Sequence, residues 1–288
     1  MKPRTLSKSR FVMGLECPQK LVYDQDKRFR NLNREDSFLA SLADGGFQVG
    51  EFAKAHFPGG HDIVTLDTDE AVRQTRELLN AGDCVIFEAA IRFENCFIRV
   101  DVLEQKGNRL VIHEVKAKSY RSGERTPFLT KKGGLDSEWR RYLYDVAFQK
   151  YVVCSAFPDA SVTANLMLVD KDASSPVDGL HQCFKVISDD GRRSAQQVSA
   201  LPEGVLEAGL LKSVPVDYEC DLIYQSTEHG AHFTGTFSQL VKCLSDICEM
   251  KSTPTFSLYS GCGKCEFKRA GTDDKLLSGF DACVSSKT

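Results

Sequence analysis

The stretch from Cys96 to Lys118, CFIRVDVLEQKGNRLVIHEVKAK, constrains this chain more than any other. Phe97, Ile98, Val100, Val102 and Leu103 form one β-rich run, and Leu110, Val111, Ile112 and Val115 form a second. Between them Lys106-Gly107-Asn108 supplies residues that tolerate a tight turn, so the stretch predicts a hairpin. Charges sit inside both runs. Asp101 interrupts the first, and Glu114 and Lys116 interrupt the second. Side chains alternate faces along a strand, so Glu114 and Lys116 share one face, and the hairpin folds Asp101 back beside them. A solvated edge hairpin would also carry charge, but apolar residues flank these positions on both faces, which predicts a central strand pair. Buried charges are costly unless paired or metal-bound, so the set reads as a divalent-cation site with a built-in ammonium.

Charge and composition narrow what such a site serves. The 288 residues carry a net charge of −3, so contact with nucleic acid has to come from a local patch. A 42% hydrophobic content is enough for a core and excludes wholesale disorder. No apolar run reaches membrane-spanning length and MKPRTLSKSR lacks a signal-peptide core, so the expectation is a soluble, cytoplasmic protein.

Ser7-Lys8-Ser9-Arg10 before Phe11, Val12 and Leu15 predicts a capped, short amphipathic helix that ends at Cys17-Pro18. Residues 37–56 have helical spacing, with Phe38, Leu39 and Leu42, then Phe47, Val49, Phe52 and Ala53. Gly45-Gly46 predicts a break into two helices, and Glu51 lies in the second. A helix over 68–80 and strands over 84–91, 97–103 and 110–117 follow, with Glu88 in the first strand. From Lys116 to Lys150 nine basic residues (116, 118, 121, 125, 131, 132, 140, 141, 150) face four acidic ones (124, 136, 138, 145). This local excess reads as a track for a phosphate backbone. A helix over 136–156 carries Gln149, a strand covers 164–169, and 184–187 reads as an edge strand. Little can be read from the polar residues 190–230; a helix ends the run from Phe233 to Met250.

Eleven cysteines are many for a chain of this kind. Cys84, Cys96, Cys154 and Cys183 lie in apolar runs and read as small buried hydrophobes. Cys262-Gly-Lys-Cys265 places two thiols on one turn at a spacing that suits a metal or cluster. Cys283 could return to the same site and Cys17 is the natural fourth ligand, with Cys220, Cys243 and Cys248 as competitors. Spacing alone does not separate zinc from iron–sulfur.

Together these residues resemble the PD-(D/E)XK nuclease superfamily, whose site takes an acidic residue from an early helix, an Asp and an E-x-K from adjacent strands, and a Gln from the next helix. The matching positions are Glu51, Asp101, Glu114-Val115-Lys116 and Gln149. The closer resemblance is to the RecB-like branch, including the CRISPR-associated exonucleases, and closest to an uncharacterised domain family of that branch. It is carried by SKSRFVMGLECPQKL, VGEFAKAHFPGG, FEAAI, RVDVL, HEVKAKS, DVAFQKYV and CGKCEF…SGFDAC. Gly50 stands where many RecB-like nucleases carry a metal-binding His, and Val153 stands where the Q-x-x-x-Y form has Tyr.

The resemblance implies an α/β fold with a PD-(D/E)XK restriction-endonuclease-like core, a mixed central sheet flanked by helices, and an iron–sulfur region joining the chain ends. Residues 1–60 would hold the first cluster Cys and first site helix, 61–190 the nuclease core, and 191–288 a helical region with the remaining cysteines. Mg²⁺ or Mn²⁺ would sit on Glu51, Asp101, Glu114 and the Val115 carbonyl, with Lys116 and Gln149 beside the reacting phosphate. Cys17, Cys262, Cys265 and Cys283 would hold a structural 4Fe–4S cluster. The implied activity is a metal-dependent deoxyribonuclease, an exonuclease on single-stranded DNA in repair, recombination or defence, with Tyr120, Trp139 or Tyr142 for stacking. The alternative is a non-cleaving nucleic-acid-binding module of the same fold with a zinc or iron–sulfur site.

Overall fold

A computed structural model describes residues 3–34, 36–124, 126–189, 192–269, 271 and 275–286. Arg125, residues 270 and 272–274 of the C-terminal motif, and the side chain of Phe38 lie outside them. In chain order the helices are α1 (Lys8–Glu16), α2 (Pro18–Gln25), α3 (Ser37–Lys54), α4 (Thr68–Ala81), α5 (Arg140–Ala156), α6 (Asp217–Gln225), α7 (Phe237–Cys248) and α8 (Gly279–Ser285). The strands are β1 (His61–Asp62), β2 (Cys84–Phe93), β3 (Cys96–Lys106), β4 (Arg109–Tyr120), β5 (Ser161–Asp170), β6 (Phe184–Asp189), β7 (Arg192–Gln197), β8 (Leu211–Pro215), β9 (Glu228–His229) and β10 (Phe233–Thr234).

Two compact units are interleaved along the chain. One comprises 1–39, 94–97 and 222–288; the other comprises 40–93 and 98–221. The three spans read from the sequence are contiguous stretches.

The second unit is α/β, with a mixed six-stranded sheet in the order β1-β2-β3-β4-β5-β8. β1 runs parallel to β2 and β4 parallel to β5, while β3 and β4 are antiparallel, as are β5 and β8. The charged hairpin therefore occupies the middle of the sheet. Gly107 makes its turn possible, with a φ of 56° that side-chain-bearing residues rarely adopt.

Alternation along β4 fixes what each face meets. Val115 pairs in register with Met167, and both pack with Phe52 and Ala53 of α3 and with Phe184 and Leu211. Glu114 and Lys116 therefore face the other side, the side from which Gln149 of α5 reaches Glu114. Along β2 the alternation fails at Glu88, whose φ is 56°. Ile86 and Phe87 are both buried on one side of it, and Ala89 and Ala90 on the other. A left-handed glutamate inside a strand marks a bulge held by its surroundings.

Several expectations are corrected. Gly45-Gly46 does not break the helix: α3 is continuous across it. A glycine costs a helix about 1 kcal/mol, which the anchoring of Val49, Phe52 and Ala53 outweighs. β6 is not an edge of the main sheet but pairs with β7 in a two-stranded sheet. The edge position belongs to β8, inside the stretch where the sequence was uninformative. The helix expected from 136 begins at Arg140, after Asp136 and Trp139 form a turn. Cys96 is buried as expected, but Cys84 and Cys183 are half-buried and Cys154 is exposed.

In the first unit, α1 packs on α2 and α7. Ser7 caps α1, and Thr236 with Gln239 forms a capping box on α7. The C-terminal segment returns to the N-terminal one: Phe29 bridges Leu277, and Leu32 N–H donates to the Glu266 carbonyl. Lys20, nearly buried, is held by Glu16 at 2.9 Å and Glu266 at 2.6 Å. No helix among the described residues is long and apolar enough to cross a membrane.

Candidate active site

The β3–β4 register runs from Lys106↔Arg109 to Val102↔His113, and Asp101 and Glu114 are the next residues beyond its end. The Asp101 Oδ2 accepts the Val115 backbone N–H at 2.8 Å. Glu114 is 1% exposed and both its oxygens are engaged. Oε1 receives Lys116 Nζ at 2.5 Å, and Oε2 receives Gln149 Nε2 at 2.7 Å. Three of the five side chains read from the sequence are thus joined directly, and Asp101, a fourth, is held to the backbone between two of them.

A fifth member was missed. Asp145, 8% exposed, accepts Lys116 Nζ at 3.1 Å and Gln149 Nε2 at 3.4 Å. It was counted only among the charges of the basic stretch. The signal was its spacing: Asp145 and Gln149 stand four residues apart and share a helix face.

Glu51 is placed differently. It lies on α3, whose Phe52 and Ala53 pack on the opposite face of the sheet, and it pairs with Lys54 at 3.1 Å. Lys54 in turn reaches Asp62 of β1 at 2.6 Å. His56, further along, turns its Nδ1 to the Phe52 carbonyl.

Glu114 and Asp145 are two carboxylates on one ammonium, a formal charge of −1, and Asp101 is held to the backbone N–H of the residue between Glu114 and Lys116. Hard oxygen donors carrying that excess suit Mg²⁺ or Mn²⁺. The Gln149 Oε1 is buried and has no hydrogen-bond partner among the described residues, an unmet acceptor beside the cluster that fits an added cation or its bound water. The residues present fit such an ion, though no three His, Cys, Asp or Glu among the described residues are already arranged around a point where one would sit.

Lysines surround the cluster. Lys118 lies over the Trp139 ring at 4.6 Å and over Tyr142 at 5.6 Å, and Lys116 over Tyr142 at 6.0 Å. Of the aromatics expected to stack on bases, Tyr120 and Trp139 are buried, the latter against Phe128. Burial removes their faces from any ligand and leaves the half-buried Tyr142.

The first unit brings the four expected cysteines to one pocket. Cys17 comes from the α1–α2 junction, Cys262 and Cys265 from a tight turn over Ser260–Lys264, and Cys283 from α8. Lys20 and Tyr259 line the same pocket. Tyr23 Oη lies 3.1 Å from Cys283 Sγ, and Tyr259 N–H donates to Cys262 Sγ at 3.5 Å. Burial pushes the Cys17 thiol up to about 11 and also raises Cys265 and Cys283. Half-buried thiolates lining one pocket need a cationic centre to offset their charge, so this donor set fits a metal or cluster. The competitors lie elsewhere: Cys220 is buried in α6, Cys248 is buried at the end of α7, and Cys243 lines a separate pocket.

No family model matches the sequence, and none of the curated proteins matches it.

Proposed function

We propose that this chain is a metal-dependent DNA nuclease of the PD-(D/E)XK type, RecB-like, with a structural 4Fe–4S cluster on Cys17, Cys262, Cys265 and Cys283. The observation that carries the reading is the direct bonding of Glu114 to Lys116 and Gln149, with Asp101 held to the backbone N–H between Glu114 and Lys116, on two central strands and one helix.

Asp101 and Glu114 would hold the divalent cation. A cation bound there supplies a hydroxide nucleophile near neutral pH and neutralises charge on the scissile phosphate. Lys116 places an ammonium beside these carboxylates, where it stabilises negative charge that develops on phosphate oxygens. Gln149, packed in the core of α5, holds its amide rigidly against Glu114 and so orients the carboxylate. Tyr142 with Lys116 and Lys118 offers a ring and two cations to a single strand, which supports single-stranded DNA as substrate. Glu51, paired to Lys54, is left out of the ligand set.

The test is purification without air, followed by incubation with end-labelled single- and double-stranded DNA and Mn²⁺, wild type against Lys116→Ala. Degradation by the wild type that is lost in the variant supports the nuclease and reads strand preference. Substrates bound but left intact by both proteins would replace it with a non-cleaving binding module.

A further inference from the structure

Both oxygens of Glu114 are occupied, one by Lys116 and one by Gln149. A divalent cation that takes this carboxylate repels the ammonium already bound there and competes with both donors for its oxygens. Lys116 carries a full charge, and an ammonium released inside a largely buried site is costly without a new acceptor. The structure contains that acceptor. Asp145 already touches both groups that compete for Glu114, Lys116 Nζ at 3.1 Å and Gln149 Nε2 at 3.4 Å.

We propose that Asp145 is a transfer acceptor, taking over Lys116 and the Gln149 amide when a divalent cation claims Glu114. This rests on the metal-site reading above and adds to it a positioning residue. The geometry suits a short transfer. Glu114 and Lys116 are two residues apart on a strand, about 6.6 Å. Gln149 and Asp145 are four apart on a helix, about 6 Å. The two pairs run side by side with nearly equal spacing, so Lys116 lies within reach of both carboxylates and needs only a rotation of its side chain to exchange them. With a cation in place, Lys116 would stay charged and held near the phosphate; with none, it neutralises Glu114 and keeps the buried site folded.

The test is calorimetric titration of the full-length chain, cluster intact, with Mn²⁺ alone. Asp145→Asn removes the acceptor's charge with little change of shape, and about tenfold weaker Mn²⁺ binding is expected, the lower end for losing a residue that supports a metal ligand. Asp145→Glu keeps the charge and recovers most of the affinity, which guards against a folding artefact. The decisive comparison repeats Asp145→Asn in a Lys116→Met background. If Asp145 works through the lysine, most of its effect disappears there. A loss that persists undiminished means Asp145 acts only as a distant negative charge, and the proposal fails. Wild-type affinity in Asp145→Asn also overturns it, while leaving the metal site standing. No Mn²⁺ uptake by wild type, or uptake unaffected by Glu114→Gln, overturns the metal site and this proposal together.

Discussion

The Tyr23 hydroxyl lies 3.1 Å from the Cys283 sulfur, joining two residues 260 positions apart. A thiolate can only accept, so with Cys283 bound to a metal centre Tyr23 is the donor. Hydrogen bonds to ligand sulfurs raise the reduction potential of an iron–sulfur centre by stabilising its more negative state. Tyr23→Phe is therefore expected to lower the potential. A bond of about 1 kcal/mol corresponds to about 40 mV for one electron. A redox titration followed by visible absorbance measures it, and an unchanged midpoint rejects the contact.

The same ring sets the size limit at Gly279. A methyl group there would stand 2.5 Å from Tyr23 Cδ2 and 3.0 Å from Phe267 Cβ. Neither ring can retreat easily, since Tyr23 also packs on Phe29 and Phe267. Gly279→Ala should cost about 1–3 kcal/mol as an overpacked site. Under the proposed cluster it should also release iron faster under chelation, which tracks whether α8 still presents Cys283.

Gln149→Met keeps the volume of a fully buried side chain and removes its amide. Glu114 Oε2 then loses its donor while remaining buried, and the expected loss of stability is about 1–3 kcal/mol. Denaturant unfolding at constant slope measures it. A neutral outcome would mean that the Glu114–Gln149 bond does not hold the site together.

Acid stability should depend on His113. Its ring packs on Phe57, its Nδ1 meets Ser213 Oγ at 2.8 Å, and its Nε2 is buried without a hydrogen-bond partner among the described residues. Burial lowers its pKa below 6.5, with Glu104 pulling weakly the other way. The unfolded chain therefore takes up a proton near pH 6.5, where the folded chain does not. The contribution of neutral His113 is complete above that pH and is lost as pH falls through 6.5 towards the folded value. Unfolding free energies measured from pH 8 to 5 should decline over this window in wild type and decline less in His113→Gln.

The charged hairpin was legible because its signals are local. Period-two alternation, a Gly-Asn turn and apolar flanks on both faces are properties of neighbouring residues, and they placed Asp101, Glu114 and Lys116 together in the middle of a sheet. β8 was not legible, since Leu211–Pro215 is five residues long and is recruited as an edge by pairing with β5. Gly45-Gly46 misled because local propensity favours a break, while packing further along α3 decides.

Asp145 shows the limit from the other side. Its spacing to Gln149 was readable, but its chemistry depends on which strand residues α5 meets, and that follows from how the helix seats on the sheet.

The sequence by itself determined the hairpin set of Asp101, Glu114 and Lys116 and the Cys262–Cys265 pair, which follow from side-chain chemistry and from spacing between neighbouring residues. Gln149 and the full set of four thiols came with the family resemblance. Only the tertiary structure decided which donors are partners. It set Lys116 between two carboxylates, linked Lys54, the partner of Glu51, to Asp62 of β1, and buried Trp139 and Tyr120. Contacts between distant segments depend on packing and burial summed over the fold, which no short stretch of sequence encodes.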